Sequence, residues 1–241
     1  MNIIPNLSVD CVIFGVNSEN LSVLLVEREL TKDGEVLFSD HTLTGHHVIE
    51  GENTEDAAIR VLKSITGFEN IYLEQFYTFS DTNRLGGKKD IIWRENFPHK
   101  IAEHVISVGY YSLVDSTAIC PDEAHKNVHW FPIDNLPELG FDHKEIIEKA
   151  LEQLRIKVMH EPVVFELLPE KFTISQLQKL SEAILGTTFD RRNFRKKVGQ
   201  MKSIIALDEK QKGVAHKPAQ IYIFSKDVYE RTRKEKLIFF Y

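Results

Sequence analysis

Apolar residues fall in two distinct rhythms along the chain. Val9–Val16 (VDCVIFGV) and Leu21–Arg28 (LSVLLVER) are short runs rich in β-branched residues, separated by Asn17-Ser18-Glu19-Asn20. Runs of this length bounded by a polar turn predict a β-hairpin. At Asn53 the period changes. Ala57, Ala58, Val61, Leu62 and Ile65 recur at three- and four-residue steps, predicting a helix from Asn53 or Thr54 to Thr66. Asp56, three residues after Asn53, suits the N-terminal cap, and Gly67 suits the C-terminal stop. Strands are predicted again at Ile71–Thr78, His104–Val114 and Trp130–Ile133. A helix follows at Asp142–Lys157, with Ile146, Ile147, Ala150, Leu151 and Leu154 apolar. Between them, Ser80–Lys100 contains Gly86-Gly87 and Pro98 and reads as irregular. A segment of that length is more often functional than merely connecting.

The later part has another pattern. Thr173-Ile174-Ser175-Gln176 matches a capping box and opens a helix whose Leu177, Leu180, Ile184 and Leu185 share a face, ended by Gly186. After a three-residue turn that includes Thr188, Asp190 opens a second helix, with Phe194, Val198 and Met201 facing inward. Ser203–Leu207 and Gln220–Phe224 read as strands flanking the polar, basic hairpin Asp208–Ala219. Helix, short turn, basic helix and hairpin make a winged helix-turn-helix.

Composition narrows the class. The 241 residues are 42% hydrophobic and 27% charged, ordinary for a globular protein. No run approaches the ~18 apolar residues of a membrane helix, and no basic region precedes the first apolar stretch, so no signal peptide and no membrane partner are expected. Cys11 and Cys120 are too few for a disulfide scaffold and suit a reducing, cytoplasmic setting. Charge is divided: residues 1–155 carry 13 Lys+Arg against 26 Asp+Glu, a net of −13, whereas residues 156–241 carry 17 against 10, a net of +7. An acidic body with a basic second domain points to a polyanion partner for the second domain alone. The domains are therefore set at 1–155 and 156–241.

The segment from His46 to Phe68 resembles the Nudix box, G-x5-E-x7-R-E-U-x-E-E-x-G-U with U a bulky apolar residue. Glu52, Arg60, Leu62, Gly67 and Phe68 match at the right separations, and Gly45 and the Gly51-Glu52 pair fit the loop before the helix. The resemblance implies an α/β fold, the Nudix αβα sandwich, over about residues 1–155. The departures concern chemistry. The three glutamates of R-E-U-x-E-E are here Val61, Ser64 and Ile65. Magnesium needs hard oxygen ligands, so metal-assisted attack on a pyrophosphate loses its Lewis acid. No enzymatic activity, no metal and no cofactor are expected. His41, His46 and His47 do not change this, because adjacent histidines on an extended segment point to opposite sides.

Leu167–Thr173, Phe189–Arg195 and His216-Lys217-Pro218-Ala219 resemble the winged-helix domain of Nudix-related transcription regulators, and the two halves occur in that family's order. The resemblance implies a sensor domain fused to a reader of double-stranded operator DNA, acting as a homodimer. Thr188, Arg191, Arg192, Asn193, Arg195, Lys196 and Lys197 are the candidate DNA contacts on the turn and recognition helix. Lys212, His216 and Lys217 are those on the wing. Arginine can pair with guanine and Asn193 with adenine. Gly45, His46, His47, Glu52, Gln75, Thr78 and Asp81 are the candidate effector contacts. Family members answer to ADP-ribose or to a pentose. With no arginine cluster in residues 40–68, the resemblance is read towards the sugar branch, with L-arabinose as effector and repression of pentose catabolism as output. The alternatives are an ADP-ribose-responsive regulator of NAD metabolism and an active Nudix hydrolase.

Overall fold

The computed structural model describes residues 2–17, 20–32, 34–97, 101–117, 125–211, 213 and 218–232. The chain divides into two compact units, residues 1–15 with 21–153 and residues 16–20 with 154–241.

The first unit is built on a seven-stranded sheet. Its strands are β1 (Ile3–Val16), β2 (Leu21–Lys32), β3 (Glu35–Thr42), β4 (Thr44–Ile49), β5 (Glu74–Phe79), β6 (Ile106–Asp115) and β7 (Val128–Pro132). The order is β3-β2-β1-β6-β5, with β4 paired to β1 and β7 to β2. Helix α1 (Thr54–Thr66) follows the expected pattern. Asn53 accepts from the Asp56 backbone N–H at 2.8 Å, and Gly67 closes the helix at φ 73°, a left-handed conformation that glycine adopts without Cβ strain. Ala57, Ala58, Val61 and Leu62 on its inner face meet Val9, Cys11, Ile13 and Leu24 from the sheet, forming one apolar cluster.

Two differences from the sequence expectation matter for the site. The strands β3 and β4 occupy Glu35–Ile49, a stretch without a clear alternating pattern. The segment expected to be irregular contains helix α2 (Lys88–Asn96), whose one buried residue is a carboxylate, Asp90. An apolar stripe is what marks a helix in a sequence, and α2 has none. Helix α3 (His143–His160) begins in the first unit and carries the chain into the second.

In the second unit, α4 (Ile174–Leu185) opens on the expected capping box between Thr173 and Gln176 and closes at Gly186. Helix α5 (Arg191–Val198) starts from an Asp190 cap and ends earlier than expected. Met201 lies beyond it, in a turn where its N–H donates to the Val198 carbonyl at 3.0 Å. Strands β8 (Ile204–Lys210) and β9 (Gln220–Phe224) form an antiparallel pair, followed by the short helix α6 (Lys226–Arg231). Phe172 joins this pair through reciprocal backbone bonds with Tyr222, and Phe165 stacks on Phe224 at 4.1 Å.

Candidate functional site

A cavity of about 170 Å³ lies in the first unit. Asp10 of β1, Arg28 of β2, Gly45, His46 and His47 of β4, Arg84, then Asp90, Trp93 and Arg94 of α2, and Phe141 and His143 at the start of α3 all border it. A polar network underlies the lining. Asp10, 5% exposed, accepts from the Ser107 hydroxyl and lies 3.5 Å from His143 Nε2 and 3.6 Å from Arg84. The Leu43 N–H donates to His143 Nδ1 at 2.9 Å, so the ring proton belongs on Nε2, facing Asp10. Burial would raise the Asp10 carboxyl, but the bond with His143 and the charge of Arg84 outweigh it and hold it at about 2, against an ordinary 3.8.

A second cluster surrounds Arg28. Its Nε donates to Asp40 at 2.7 Å, and its guanidinium lies 4.9 Å from the Trp93 ring centre and 4.3 Å from that of Phe141. Phe141 sits at φ 57°, a left-handed conformation that is costly for an aromatic residue. Its N–H donates to Asp90 at 3.0 Å, which helps hold that conformation in place. Arg84 binds Asp142 in a two-point contact at 2.7 and 2.8 Å. Asp90 and Arg84 thereby tie the segment 84–90 to 141–142.

The expected effector residues divide. Gly45, His46 and His47 border the cavity. The two histidines alternate in exposure as neighbours on a strand should, yet both rings lie near Phe97, at 6.0 and 6.3 Å between centres. Glu52, Gln75, Thr78 and Asp81 are outside the cavity lining. Gln75 and Thr78 are exposed on β5, and Asp81 accepts from the Asn83 N–H at 2.7 Å in a turn. The sequence reading missed Arg28, Arg84, Asp90, Trp93 and Arg94, which reach the cavity from separate segments of the chain.

At the box itself, both oxygens of Glu52 are occupied. Arg60 donates to them at 3.0 and 2.5 Å, and the Ile49 N–H donates at 2.7 Å. The bond from Arg60 is the main reason the Glu52 carboxyl is held below its ordinary range. Val61 is fully buried in the apolar cluster, and Ile65 packs against it. Among the described residues, no three His, Cys, Asp or Glu side chains converge as a metal site.

The second unit offers a cationic surface. On α5, Phe194 and Val198 are buried while Arg191, Arg192, Asn193, Arg195 and Lys196 are exposed; Lys197 is half-buried. Phe194 stacks against Phe189 at 5.4 Å, which fixes the rotation of the helix. Residues 186–190 make the turn, with Thr188 exposed. A staple holds it: Glu182 accepts from the Phe189 N–H at 2.8 Å, and Gln178 donates both to Glu182 and to the Phe189 carbonyl. Lys212, His216 and Lys217 lie outside the described residues. No described helix is long and apolar enough to cross a membrane.

Comparison with known proteins agrees with this division. Residues 5–150 match the NUDIX domain, and residues 164–224 match the NrtR DNA-binding winged helix domain. The chain is 25% identical over 231 residues to the ADPR responsive transcriptional repressor NtrR of Acinetobacter baylyi, covering 94% of this chain and 84% of that one. Among solved structures, it is similar to Shewanella oneidensis NrtR complexed with a 27mer DNA, at 27% identity and a TM-score of 0.66 over 93% of this chain and 95% of that one. It is also similar to a MutT/nudix family protein from Enterococcus faecalis, at 25% identity and a TM-score of 0.62 over 92% and 86% of the two chains.

Proposed function

The chain belongs to the NUDIX family, with a winged helix following its NUDIX domain, and from that premise we propose that it is a DNA-binding transcriptional repressor released by ADP-ribose. The observation that carries the reading is the pairing of a charged, aromatic-lined cavity in the NUDIX unit with an exposed row of arginines on the second helix of a winged helix. Such a helix enters the major groove, where Arg191, Arg192 or Arg195 can take guanine and Asn193 adenine. Thr188 and Lys196 are positioned for phosphate.

ADP-ribose replaces the expected L-arabinose for two reasons. The similar repressor of Acinetobacter baylyi is ADPR responsive by name. The argument for a plain sugar was the lack of arginines in residues 40–68, and it fails in space, because Arg28, Arg84 and Arg94 reach the cavity from outside that window. Trp93 and Phe97 add aromatic faces suited to a nucleobase.

The same reading excludes hydrolysis. Val61 and Ile65 serve the core, Ser64 is hydrogen-bonded to the Val61 carbonyl, and Glu52 is committed to Arg60. It also takes the active unit to be a homodimer, because one winged helix reads too few base pairs for useful specificity. The test is to select duplexes from a random-sequence pool with the full-length protein, then add ADP-ribose or L-arabinose. Enrichment of a two-fold sequence that ADP-ribose releases supports the reading. Release by L-arabinose alone, or steady cleavage of ADP-ribose with magnesium, contradicts it.

A further inference from the structure

The charges around the cavity are not equally available to a ligand. Arg28 pairs with Asp40 at 2.5 Å and lies 3.7 Å from Asp90. Arg84 holds Asp142 at 2.7 Å and stands 3.6 Å from Asp10. Two buried guanidiniums therefore face four carboxylates, and the floor is acidic. Burial lowers the proton affinity of His47, so it does not offset that charge at neutral pH. Arg94 differs. It is half-buried on α2, and among the described residues it has no carboxylate partner, only a 3.5 Å bond to the Glu103 carbonyl.

An acidic floor repels phosphate but accepts hydrogen bonds from hydroxyls. One donor also waits there: Arg28 Nη1 is buried and has no hydrogen-bond partner, although Arg28 borders the cavity. A sugar hydroxyl can donate to a carboxylate and accept from a guanidinium at once; a phosphate can only accept. Size agrees with this, since about 170 Å³ is less than the ~300–1,000 Å³ of a typical ligand pocket and suits one ring of a larger ligand. Asp90 and Arg94 are one turn apart on α2, and four residues rise about 6 Å. That span is comparable with the reach from the ring hydroxyls of a pentose to a phosphate on its C5 carbon. The helix is held in place by the Phe141 N–H on Asp90 and by a 2.5 Å Lys89–Glu138 pair.

We propose that the cavity binds a phosphorylated pentose ring-first, with Asp10 and Asp90 taking the ring hydroxyls and Arg94 the phosphate. This rests on the effector reading and specifies which end of ADP-ribose enters: its terminal, base-free ribose. Calorimetric titration of the full-length protein, its R94A and its R94K variants with ribose 5-phosphate and with ADP-ribose tests it. Both ligands should bind roughly tenfold or more weakly to R94A, as expected when a hydrogen bond to a charged group is removed, with partial recovery in R94K. The melting temperature of the ligand-free protein should stay unchanged, because Arg94 holds little in place. Equal affinity of R94A and the parent protein overturns the orientation while leaving ADP-ribose as effector. Arg94-dependent binding of ribose 5-phosphate alone supports the orientation and removes ADP-ribose. Binding of neither ligand overturns both.

Discussion

At the scale of single residues, the cavity depends on close approaches that few side chains permit. A Cβ on Gly45 would overlap Asp10 Oδ1 and meet the Val9 carbonyl at 3.0 Å. Gly45→Ala should therefore cost about 1–3 kcal/mol by overpacking and lower the melting temperature; an unchanged melting temperature would show that β1 and β4 can separate there. Asp10 gives a pH signature. Its carboxyl titrates at about 2 in the fold against an ordinary 3.8, so its contribution, about 2 kcal/mol, is present above pH ~4 and is lost as the pH falls towards 2. Asp10→Asn should flatten the acid limb of stability measured by urea unfolding between pH 2 and 6. An acid limb as steep as the parent's would place the titration elsewhere. Little of this was legible beforehand. The Glu52–Arg60 pair follows from the box spacing, but Arg28 with Asp90, or Arg84 with Asp142, joins residues 62 and 58 positions apart, and no local pattern announces such pairs.

Elements were legible where end signals and apolar period agreed. Asn53 and Gly67 bound α1, and Thr173 and Gly186 bound α4, as the sequence indicated. Thr173→Ala should remove the reciprocal bonds with Gln176 and cost about 1 kcal/mol. Helix α2 was not legible, because its buried residue is a carboxylate paired with a distant arginine, so tertiary charge rather than an apolar stripe fixes it. The effector expectation failed with it, since α2 supplies Trp93 and Arg94. Helix α5 was legible in both roles, an inner face of Phe194 and Val198 and an outer cationic row. Replacing Arg191 and Arg192 together by alanine should leave melting unchanged, since both are exposed, yet weaken DNA binding. For every phosphate that the variant no longer neutralises, the slope of log affinity against log salt should fall by ~0.9. Wild-type affinity in the double variant would mean that these charges face solvent only.

For the whole molecule, the function requires the two units to influence each other, and the chain supplies one continuous element between them. Helix α3 starts at His143, which borders the cavity and contacts Asp10, and it runs to His160 inside the second unit. A ligand that rearranges the contacts of Asp10, Arg84 and Asp142 acts directly on the first turn of that helix. Occupancy of the cavity and of DNA are then linked, and linkage is reciprocal. The most direct measurement is the affinity of ADP-ribose for the full-length protein, free and saturated with a duplex it has selected. The account predicts weaker ADP-ribose binding on DNA by roughly 5–150-fold, matched by the same factor in DNA affinity when ADP-ribose is saturating. Equal ADP-ribose affinity in the two titrations would contradict it.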